Sequence, residues 1–431
     1  MSILRSCQPK VAVVGAGLAG VSVALELASR GMSVVLIDQD VRPVNRASRR
    51  NEGKIHLGFV YANEPDRETM RLMVDGAMVF GPLMRRWLGR CPEASTQFQY
   101  LVHCESVVTP EEFAVHCAAV ETYARAVQET RPDADYLGAR PGRFWRPSSP
   151  EALETVGAGG EIAAAFVTEE RAVDTDLLSL ALAKRVLEDD NIDFQGGVEV
   201  NRFEQAGTGY RLHGTRDGAP WQSRADLLVN CTWERRSALD ATLGIAPPAD
   251  ILHRLKYRLI LKVPPVWRDA VSMTMVVGPY GDIVIRRDGT AFLSWYPVGR
   301  QGWSTDIEPP RDWDAPSSGR PDPVTANRVA DGILSNLDRF YPGIGASEVL
   351  QIDAGPIVAI GRSDVGDKGS GLHHRCEVGY REHGTYFTLD PGKLTTAPLF
   401  GVRLAERIDA LVGGIRPRSH RFGAQLEAAN A

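Results

Sequence analysis

The sequence lacks the cysteine patterns that build disulfide frameworks or zinc sites. Its six cysteines are scattered, and no two of them form a C-x-x-C pair. Such a distribution is typical of a reducing compartment, so we expect a cytoplasmic protein. His373 and His374 have no third ligand at metal spacing, which predicts that no metal is bound.

Blocks of like charge and long hydrophobic runs are also missing. Lys and Arg number 49 against 54 Asp and Glu, which argues against a nucleic-acid partner. The most apolar stretch, 11–25, is only about fifteen residues long, whereas a helix needs about twenty to cross a bilayer. Residues 1–10 lack the apolar core of a secretory signal. We therefore expect no membrane span. The 431 residues, 43% of them hydrophobic, are enough for two or three domains.

The N-terminal region carries a motif for binding a dinucleotide. Its parts are the apolar run 11–14, the glycines Gly15, Gly17 and Gly20, a helical stretch 21–30, and the run 34–37 followed by Asp38. Gly15 permits a tight turn, Gly17 lets a pyrophosphate approach the backbone, and Gly20 lets the helix pack on the strand. The helix N-terminus favours phosphate, and Asp38 would accept hydrogen bonds from a ribose. The motif alone does not distinguish FAD from NAD.

A second strand–glycine–helix junction at 386–398 favours FAD. A simple NAD domain has no use for a distant second helix dipole. An isoalloxazine ring gains negative charge along its N1–C2=O edge on reduction, and a helix N-terminus stabilises that charge. A strand followed by a well-capped helix, without any ligand, is the alternative.

Together these motifs resemble the D-amino-acid-oxidase-like FAD-dependent oxidoreductases, which include glycine, sarcosine and 2-hydroxyglutarate oxidases. The resemblance rests on the βαβ unit, on EGKIHLGFVY at 52–61, on GKLTTAP at 392–398, and more loosely on 173–177. It implies an α/β protein with a glutathione-reductase-type FAD-binding Rossmann domain built from discontinuous segments, and an inserted mixed or antiparallel-sheet substrate domain. We expect 1–60, 171–240 and 361–431 in the FAD-binding domain, and 61–170 and 241–360 in the substrate-binding domain.

The resemblance and the motifs assign a set of residues to FAD. These are Gly15, Gly17, Leu18, Ala19, Gly20, Asp38, Gln39, Ser48, Arg49, Arg50, Val198, Gly392, Lys393, Leu394 and Thr395. One departure concerns 229–234, where VNCTWE replaces the family's Ala-x-Gly signature and puts close flavin approach there in doubt. The Gly-Asp-Ala motif of aromatic hydroxylases is missing, which argues against a monooxygenase.

Flavin oxidation of an amino or hydroxy acid needs an arginine that clamps the substrate carboxylate. The candidates are Arg258, Arg286, Arg287 and Arg362. Tyr257, Trp295 and Tyr296 could form the wall of the pocket or simply part of the sheet core. His56 could contact the flavin, attach to it covalently, act as a base, or be structural.

The predicted activity is FAD-dependent oxidation of a small carboxylated amine that is glycine-, sarcosine- or iminodiacetate-like. Hydride passes from the C–N carbon to flavin N5, and the imine hydrolyses to an oxo acid. Oxygen or another acceptor reoxidises the flavin, and the protein is a monomer or homodimer. Two alternatives stay open, namely oxidation of a 2-hydroxy acid or polyol at C–O, and dinucleotide binding without turnover.

The periodicity also predicts local structure. Helices are expected at 68–88, 110–128, 174–189, 326–340 and 395–412, and strands at 55–61, 193–200, 210–213 and 227–231 and in the block 256–296. The segments 140–150 and 301–324 are expected to be loops, the latter as a lid or a disordered excursion.

Overall fold

A computed structural model describes residues 9–149, 160–367, 370–375 and 377–413, without the side chain of His373. Most of the N-terminal segment 1–10, Pro150 and the predicted polar tail lie outside the described residues. The helices are Leu18–Ser29, Glu68–Leu88, Pro110–Thr130, Thr175–Leu187, Arg236–Ala241, Tyr296–Gly299, Asp314–Ser317, Pro323–Leu337 and Ala397–Leu411. The five predicted helices are thus confirmed, with ends within about three residues. None of the helices in the described ranges is long and apolar enough to traverse a lipid bilayer.

The first large sheet has six strands, β1 (Val11–Val14), β2 (Val34–Ile37), β8 (Ile192–Gln195), β12 (Leu227–Asn230), β19 (Gly379–His383) and β20 (Tyr386–Asp390). Their order across the sheet is β19-β20-β12-β1-β2-β8. All neighbours pair in parallel except β19 and β20. The carboxyl ends of β1 and β2 therefore lie at one edge, where open α/β sheets bind their ligands.

Strand β1 is apolar throughout because both of its faces are covered. Val11 and Val13 pack in the core that includes the helix Leu18–Ser29. Ala12 and Val14 pack against a three-stranded antiparallel sheet on the other face. That sheet consists of β9 (Val198–Ala206), β10 (Gly209–Arg216) and β11 (Ala219–Ala225).

The second large sheet has nine strands, mostly antiparallel, and covers the ligand edge of the first. It contains β4 (Phe98–His103), β5 (Trp145–Pro147), β6 (Ile162–Thr168), β13 (Ile251–Lys262), β14 (Ser272–Val276), β15 (Gly281–Ile285), β16 (Thr290–Trp295), β17 (Arg300–Ser304) and β18 (Val349–Ile360). A two-stranded sheet pairs β3 (Lys54–Ile55) with β7 (Arg171–Ala172). The parallel strands come from 11–37, 192–230 and 386–390, and the exact domain boundaries stay a prediction.

Strand β13 of this second sheet, which pairs with β16, β17 and β18, has two faces of different character, as the period of two requires. Leu255, Tyr257 and Leu259 pack in a core with the helix Pro323–Leu337. Arg254 and Lys256, on the opposite face, line a large cavity between the two sheets. The alternation thus turns a row of cations towards the parallel sheet.

Three strand and loop predictions are wrong in detail. The strand expected at 55–61 stops at Ile55, because Gly58 has φ +98° and leads into a 3-10 turn. The strand expected at 193–200 is divided into β8 and β9 by two glycines at 196–197. The predicted loop 140–150 contains the short strand β5, Trp145–Pro147.

The expected loop 301–324 is largely ordered. It contains β17 and the short helix Asp314–Ser317. The indole of Trp313 packs so closely over Gly302 that an added Cβ would lie 2.2 Å from its ring. Two ion pairs, Arg46–Asp314 at 2.7 Å and Arg235–Glu308 at 3.6 Å, fasten it to residues that line the cavity.

Candidate active site

The N-terminal turn requires its glycines for reasons of backbone geometry. Gly15 has φ +95°, and a Cβ there would lie 2.5 Å from the carbonyl oxygen of Cys231. A Cβ on Gly20 would lie 1.9 Å from the carbonyl oxygen of Gly15. A Cβ on Gly17 would meet only the Ser48 hydroxyl, at 3.2 Å. The turn is therefore held tightly against β12 while its outer side stays open to the cavity.

Asp38 and Ser48 organise the cavity next to this turn. The Asp38 carboxylate accepts hydrogen bonds from the amides of Ala16, at 2.6 Å, and Asp40, at 2.8 Å. The Ser48 hydroxyl accepts from the amide of Leu18, the first residue of the helix, at 2.9 Å. Burial raises the pKa of Asp38 to about 6, although both backbone donors oppose the shift.

The raised pKa predicts that affinity for a dinucleotide depends on pH. A ribose hydroxyl donates to the ionised carboxylate, so binding favours that form. Affinity should be constant above pH 6.5 and fall by up to roughly tenfold per unit as the pH decreases below 6. Titrating the apoprotein with FAD between pH 5 and 8, by quenching of flavin fluorescence, measures this slope.

Two variants identify the group responsible. Asp38→Asn should bind FAD more weakly and lose the slope. Burial also raises the pKa of Glu234, another cavity residue, to about 7. Glu234→Gln should therefore keep the slope below pH 6. A slope that survives in Asp38→Asn and disappears in Glu234→Gln would contradict the assignment to Asp38.

Most residues predicted to bind the cofactor line this one cavity. They are Gly15, Gly17, Leu18, Ala19, Asp38, Gln39, Ser48, Arg50, Val198, Gly392, Lys393 and Leu394. Three do not. Gly20 lies inside the turn, Arg49 pairs with Asp176 at 2.6 Å, and Thr395 is fully buried. These three support the wall of the cavity, and their contact with FAD stays a prediction.

Thr395 connects the C-terminal junction with the segment 54–56 by hydrogen bonds. Its hydroxyl accepts the His56 amide at 2.9 Å and donates to the Lys54 carbonyl at 3.3 Å. Gly392, with φ +65°, forms the preceding turn, and the helix begins at Ala397. The segments 52–61 and 392–398, which both carry the family resemblance, thus lie side by side.

His56 lies in the cavity wall between two carboxylates. Its Nδ1 is 3.5 Å from Glu170 Oε1, and its Nε2 is 3.7 Å from Glu52 Oε1. Glu170 is fully buried and accepts hydrogen bonds from the Tyr100 hydroxyl and the Leu57 amide. Burial alone would raise the pKa of Glu170, but His56 and Lys54 outweigh it and lower that pKa.

Lys54 binds to the inner face of the large antiparallel sheet. Its Nζ lies 2.5 Å from Thr274 Oγ1, 2.9 Å from Asp282 Oδ1 and 4.5 Å from the centre of the Phe98 ring. Burial opposes its charge, but Asp282 outweighs that effect and raises the pKa of Lys54. This lysine is a buried cation that already has its counterion.

Of the arginines predicted to clamp a carboxylate, Arg258 lines the cavity, and Arg286, Arg287 and Arg362 do not. Arg258 Nε lies 2.7 Å from Asp353 Oδ1, and both side chains are buried. Arg286 pairs with Asp174 at 3.1 Å and does not line the cavity. Arg287 is exposed, and the Arg362 side chain, 84% exposed, pairs with Asp250.

Three cavity cations were not identified from the sequence. Arg254 and Lys256 share the inner face of β13 with Arg258, and the period of two could have grouped them. Arg375 lies in an irregular segment without any pattern. It is buried, its amide donates to Thr69 Oγ1 and its Nη1 donates to the His374 carbonyl.

The segment that departs from the family signature leaves the cavity open. A Cβ added to Gly15 would meet the carbonyl of Cys231, not its side chain. The Trp233 indole donates to the Pro356 carbonyl at 3.0 Å, which holds the ring at the cavity wall. The cavity therefore runs from the N-terminal turn to the Gly392 junction, which fits an extended dinucleotide. The turn and Asp38 would hold its nucleotide half, and the segment 392–394 its flavin half.

Similar solved structures share this architecture. Glycine oxidase from Geobacillus kaustophilus is 17% identical, with 97% of each chain covered and a TM-score of 0.67. Iminodiacetate oxidase from Chelativorans sp. BNC1 is 15% identical, covers 96% of this chain and 98% of its own, and has a TM-score of 0.62. L-alpha-glycerophosphate oxidase from Mycoplasma pneumoniae, with FAD bound, is 16% identical, covers 96% and 97%, and has a TM-score of 0.62. These likenesses confirm the predicted fold class.

At the level of sequence, no curated protein matches the chain. The family model for FAD dependent oxidoreductases matches residues 10–407, nearly the whole length. That span includes both glycine junctions and the inserted antiparallel sheet. The protein is therefore a member of the DAO family of FAD-dependent oxidoreductases, and its cofactor is FAD.

Proposed function

We propose that the enzyme oxidises a small carboxylated amine at the carbon atom that bears nitrogen. The observation that carries the proposal is a pair of buried guanidinium groups, Arg254 and Arg375, in the cavity wall. Each residue is 4% exposed, and Nε of each lacks a hydrogen-bond partner among the described atoms. An arginine in this state binds a carboxylate with its fork of N–H donors. We assign the clamp to them instead of Arg258, Arg286 and Arg362.

The neighbouring side chains fix the orientation of Arg254. Its Nη1 donates to the Tyr296 hydroxyl at 2.8 Å, and that hydroxyl donates to Asp364 Oδ1 at 2.6 Å. Phe292 and Tyr280 add apolar surface to the same cavity. FAD supplies the acceptor for two electrons, and oxygen or another acceptor then takes them. The chain's part is to hold the substrate carboxylate and exclude water so that the amine carbon faces the ring.

The names of similar structures support an amine substrate. Glycine oxidase and iminodiacetate oxidase are named for small carboxylated amines. The direct test is an anaerobic visible spectrum of the purified holoenzyme during addition of glycine, N-alkyl glycines and iminodiacetate, with the matching hydroxy acids as controls. Bleaching of the flavin band near 450 nm by an amine alone supports the proposal, and bleaching by hydroxy acids alone refutes it.

Oxidation of a 2-hydroxy acid is the second candidate because of His56. An alcohol must lose its hydroxyl proton during oxidation, which requires a base, whereas a neutral amine does not. His56, between Glu52 and Glu170, is a side chain in the cavity wall that could accept such a proton. L-alpha-glycerophosphate oxidase, named for an alcohol, also shares the fold.

His56→Ala separates the two candidates. For an amine substrate, kcat/KM should fall by less than about tenfold, since only packing and charge are lost. For a hydroxy acid it should fall by about 10²–10⁴, the usual contribution of a general base. Stopped-flow rates of flavin reduction measure the effect. His116→Ala, which removes a buried histidine outside the cavity that is bonded to the Gly58 carbonyl, controls for packing.

A further inference from the structure

Four cations at the end of the cavity where we place the substrate clamp have no carboxylate oxygen closer than 3.9 Å among the described residues. This substrate-end cluster consists of Arg254, Lys256, Arg375 and Lys393. Within the described part of the chain, no carboxylate lies within 4 Å of the side-chain nitrogens of Arg254, Arg375 or Lys393. The one near Lys256 is Asp282, at 3.9 Å, and Asp282 Oδ1 already binds Lys54.

The remaining cavity cations provide the contrast. Each has a carboxylate oxygen within 3.1 Å: Arg46 with Asp40, Arg50 with Asp353, Lys54 with Asp282, Arg235 with Glu199, and Arg258 with Asp353. These five cavity cations therefore each have a carboxylate of the protein itself as a close partner. Among the described residues, the substrate-end cluster has no counterion as close.

The charges of this cluster act on one another. Burial lowers the pKa of Lys393 to about 8, Glu52 opposes the shift, and Arg375, Arg254 and Lys256 add to it. Burial also lowers the pKa of Arg375. Because buried cations without partners are unfavourable, an anionic ligand would relieve the cost.

The balance of charges around the cluster indicates how many negative charges a bound ligand would carry. The cluster and Lys54 supply five cations, and the carboxylates near them are Glu52, Glu170 and Asp282. Asp390 also acts on Arg375, but its charge is already balanced by Arg236, 3.0 Å away. Two positive charges remain. Bound to one arginine, a single carboxylate would leave one of these charges unbalanced, whereas a dianion would balance both.

We propose that the substrate of this enzyme carries two anionic groups, a carboxylate and a second carboxylate or phosphate, bound by Arg254, Lys256, Arg375 and Lys393. The inference rests on the proposed function only for the bond oxidised. Arg254 and Lys256 lie two residues apart on one face of β13, so their Cα atoms are about 7 Å apart. That spacing suits the two ends of a short diacid.

The test uses the holoenzyme and non-reacting analogues. Malonate, succinate and glutarate are each titrated beside their monoamides, which differ by one charge, and 3-phosphonopropionate tests a phosphate-like second group. Shifts of the flavin absorption bands report binding. The best diacid, or the phosphonate, should bind at least tenfold more tightly than the monoamide of matching length.

Charge-removing variants locate the effect. Lys256→Gln should reduce the diacid-to-monoamide ratio to below about threefold with FAD content unchanged. Lys393→Gln should reduce the ratio equally when binding is measured per bound FAD, because the segment 392–394 would also hold the flavin half. Lys262→Gln is the matched control, because Lys262 lies on β13 but is exposed to solvent outside the cavity. Its ratio should equal that of the unaltered enzyme.

The outcomes separate this inference from the proposed function. If no diacid or phosphonate exceeds its monoanionic partner by threefold, the inference is wrong, even when monocarboxylated amines bleach the flavin. If diacids bind tightly but only hydroxy diacids bleach it, the dianion stands and amine oxidation fails. A preference that all three lysine variants retain would place the second anion elsewhere and overturn the assignment.

Discussion

Asp353→Asn should lower the free energy of unfolding by about 3–5 kcal/mol, the usual cost of removing one partner from a buried ion pair. Asp353 is fully buried and binds two arginines, Arg258 at 2.7 Å and Arg50 at 3.1 Å. Arg258 is 2% exposed and Arg50 6% exposed. Asparagine keeps the size of the side chain but leaves two buried guanidinium groups facing a neutral amide.

The effect should extend beyond one pair because Asp353 belongs to a network. Arg258 also lies 3.6 Å from Asp176, which pairs with Arg49 at 2.6 Å. The network connects β13 and β18 with the segment after β2 and with the helix Thr175–Leu187. Loss of Asp353 therefore loosens the contact between the two large sheets.

Urea unfolding of the holoenzyme at constant FAD concentration measures this loss. Asp331→Asn is the control, because Asp331 is exposed on the helix Pro323–Leu337 and should change stability by less than about 0.5 kcal/mol. A stability close to that of the unaltered protein would mean that Arg258 does not depend on Asp353. It would make Arg258 available again as a substrate clamp.

This network shows where sequence reasoning succeeds and where it stops. The glycine motifs are local, because three glycines at fixed spacing and an acidic residue after the next strand specify the turn by themselves. Ion-pair partners are not local. Arg258 and Asp353 are 95 positions apart, and nothing in either segment distinguishes a paired arginine from a free one.

Strand β18 illustrates a second limit. Its twelve residues, Val349–Ile360, contain Gly355 and Pro356, a pair that normally indicates a turn. Among the described strands β18 pairs with β13 alone, and an edge strand is where a proline, which lacks an N–H, is tolerated. Gly355 is required since a Cβ there would lie 2.4 Å from the Arg50 carbonyl. Both facts depend on neighbours that come from distant parts of the chain.

The apolar positions of β13 were predictable from the sequence. Which of its cations pairs with a carboxylate of the protein was not. Alternation places Arg254, Lys256 and Arg258 on one face of β13, and the sequence gives no sign of which of them has a counterion. Only the opposing elements separate them: Asp353 lies across from Arg258 in the ladder, whereas Ile357 lies across from Arg254. The partner strand thus decides which arginine is structural and which can bind a ligand.

Gly20→Ala should abolish FAD binding, the largest expected effect on the cofactor site. The new Cβ would lie 1.9 Å from the Gly15 carbonyl oxygen and 3.3 Å from the Cys231 side chain. The closest atom is backbone in a turn that is fixed by a hydrogen bond from the Gly15 amide to the Ile37 carbonyl at 2.8 Å. The helix must therefore move away from β1, and its N-terminus no longer faces the phosphates.

FAD content per chain, from the ratio of absorbance near 450 nm to that at 280 nm, measures the loss. It should fall below a tenth of the normal value in Gly20→Ala. Gly142→Ala is the control and should keep full content, since a Cβ there meets no described atom within 4 Å. Gly17→Ala should lie between them, because its Cβ would meet only the Ser48 hydroxyl, which can rotate at the expense of its bond to the Leu18 amide. Equal FAD content in Gly20→Ala and Gly142→Ala would show that the contact between Gly20 and Gly15 does not control the position of the helix, and that the motif binds FAD in some other way.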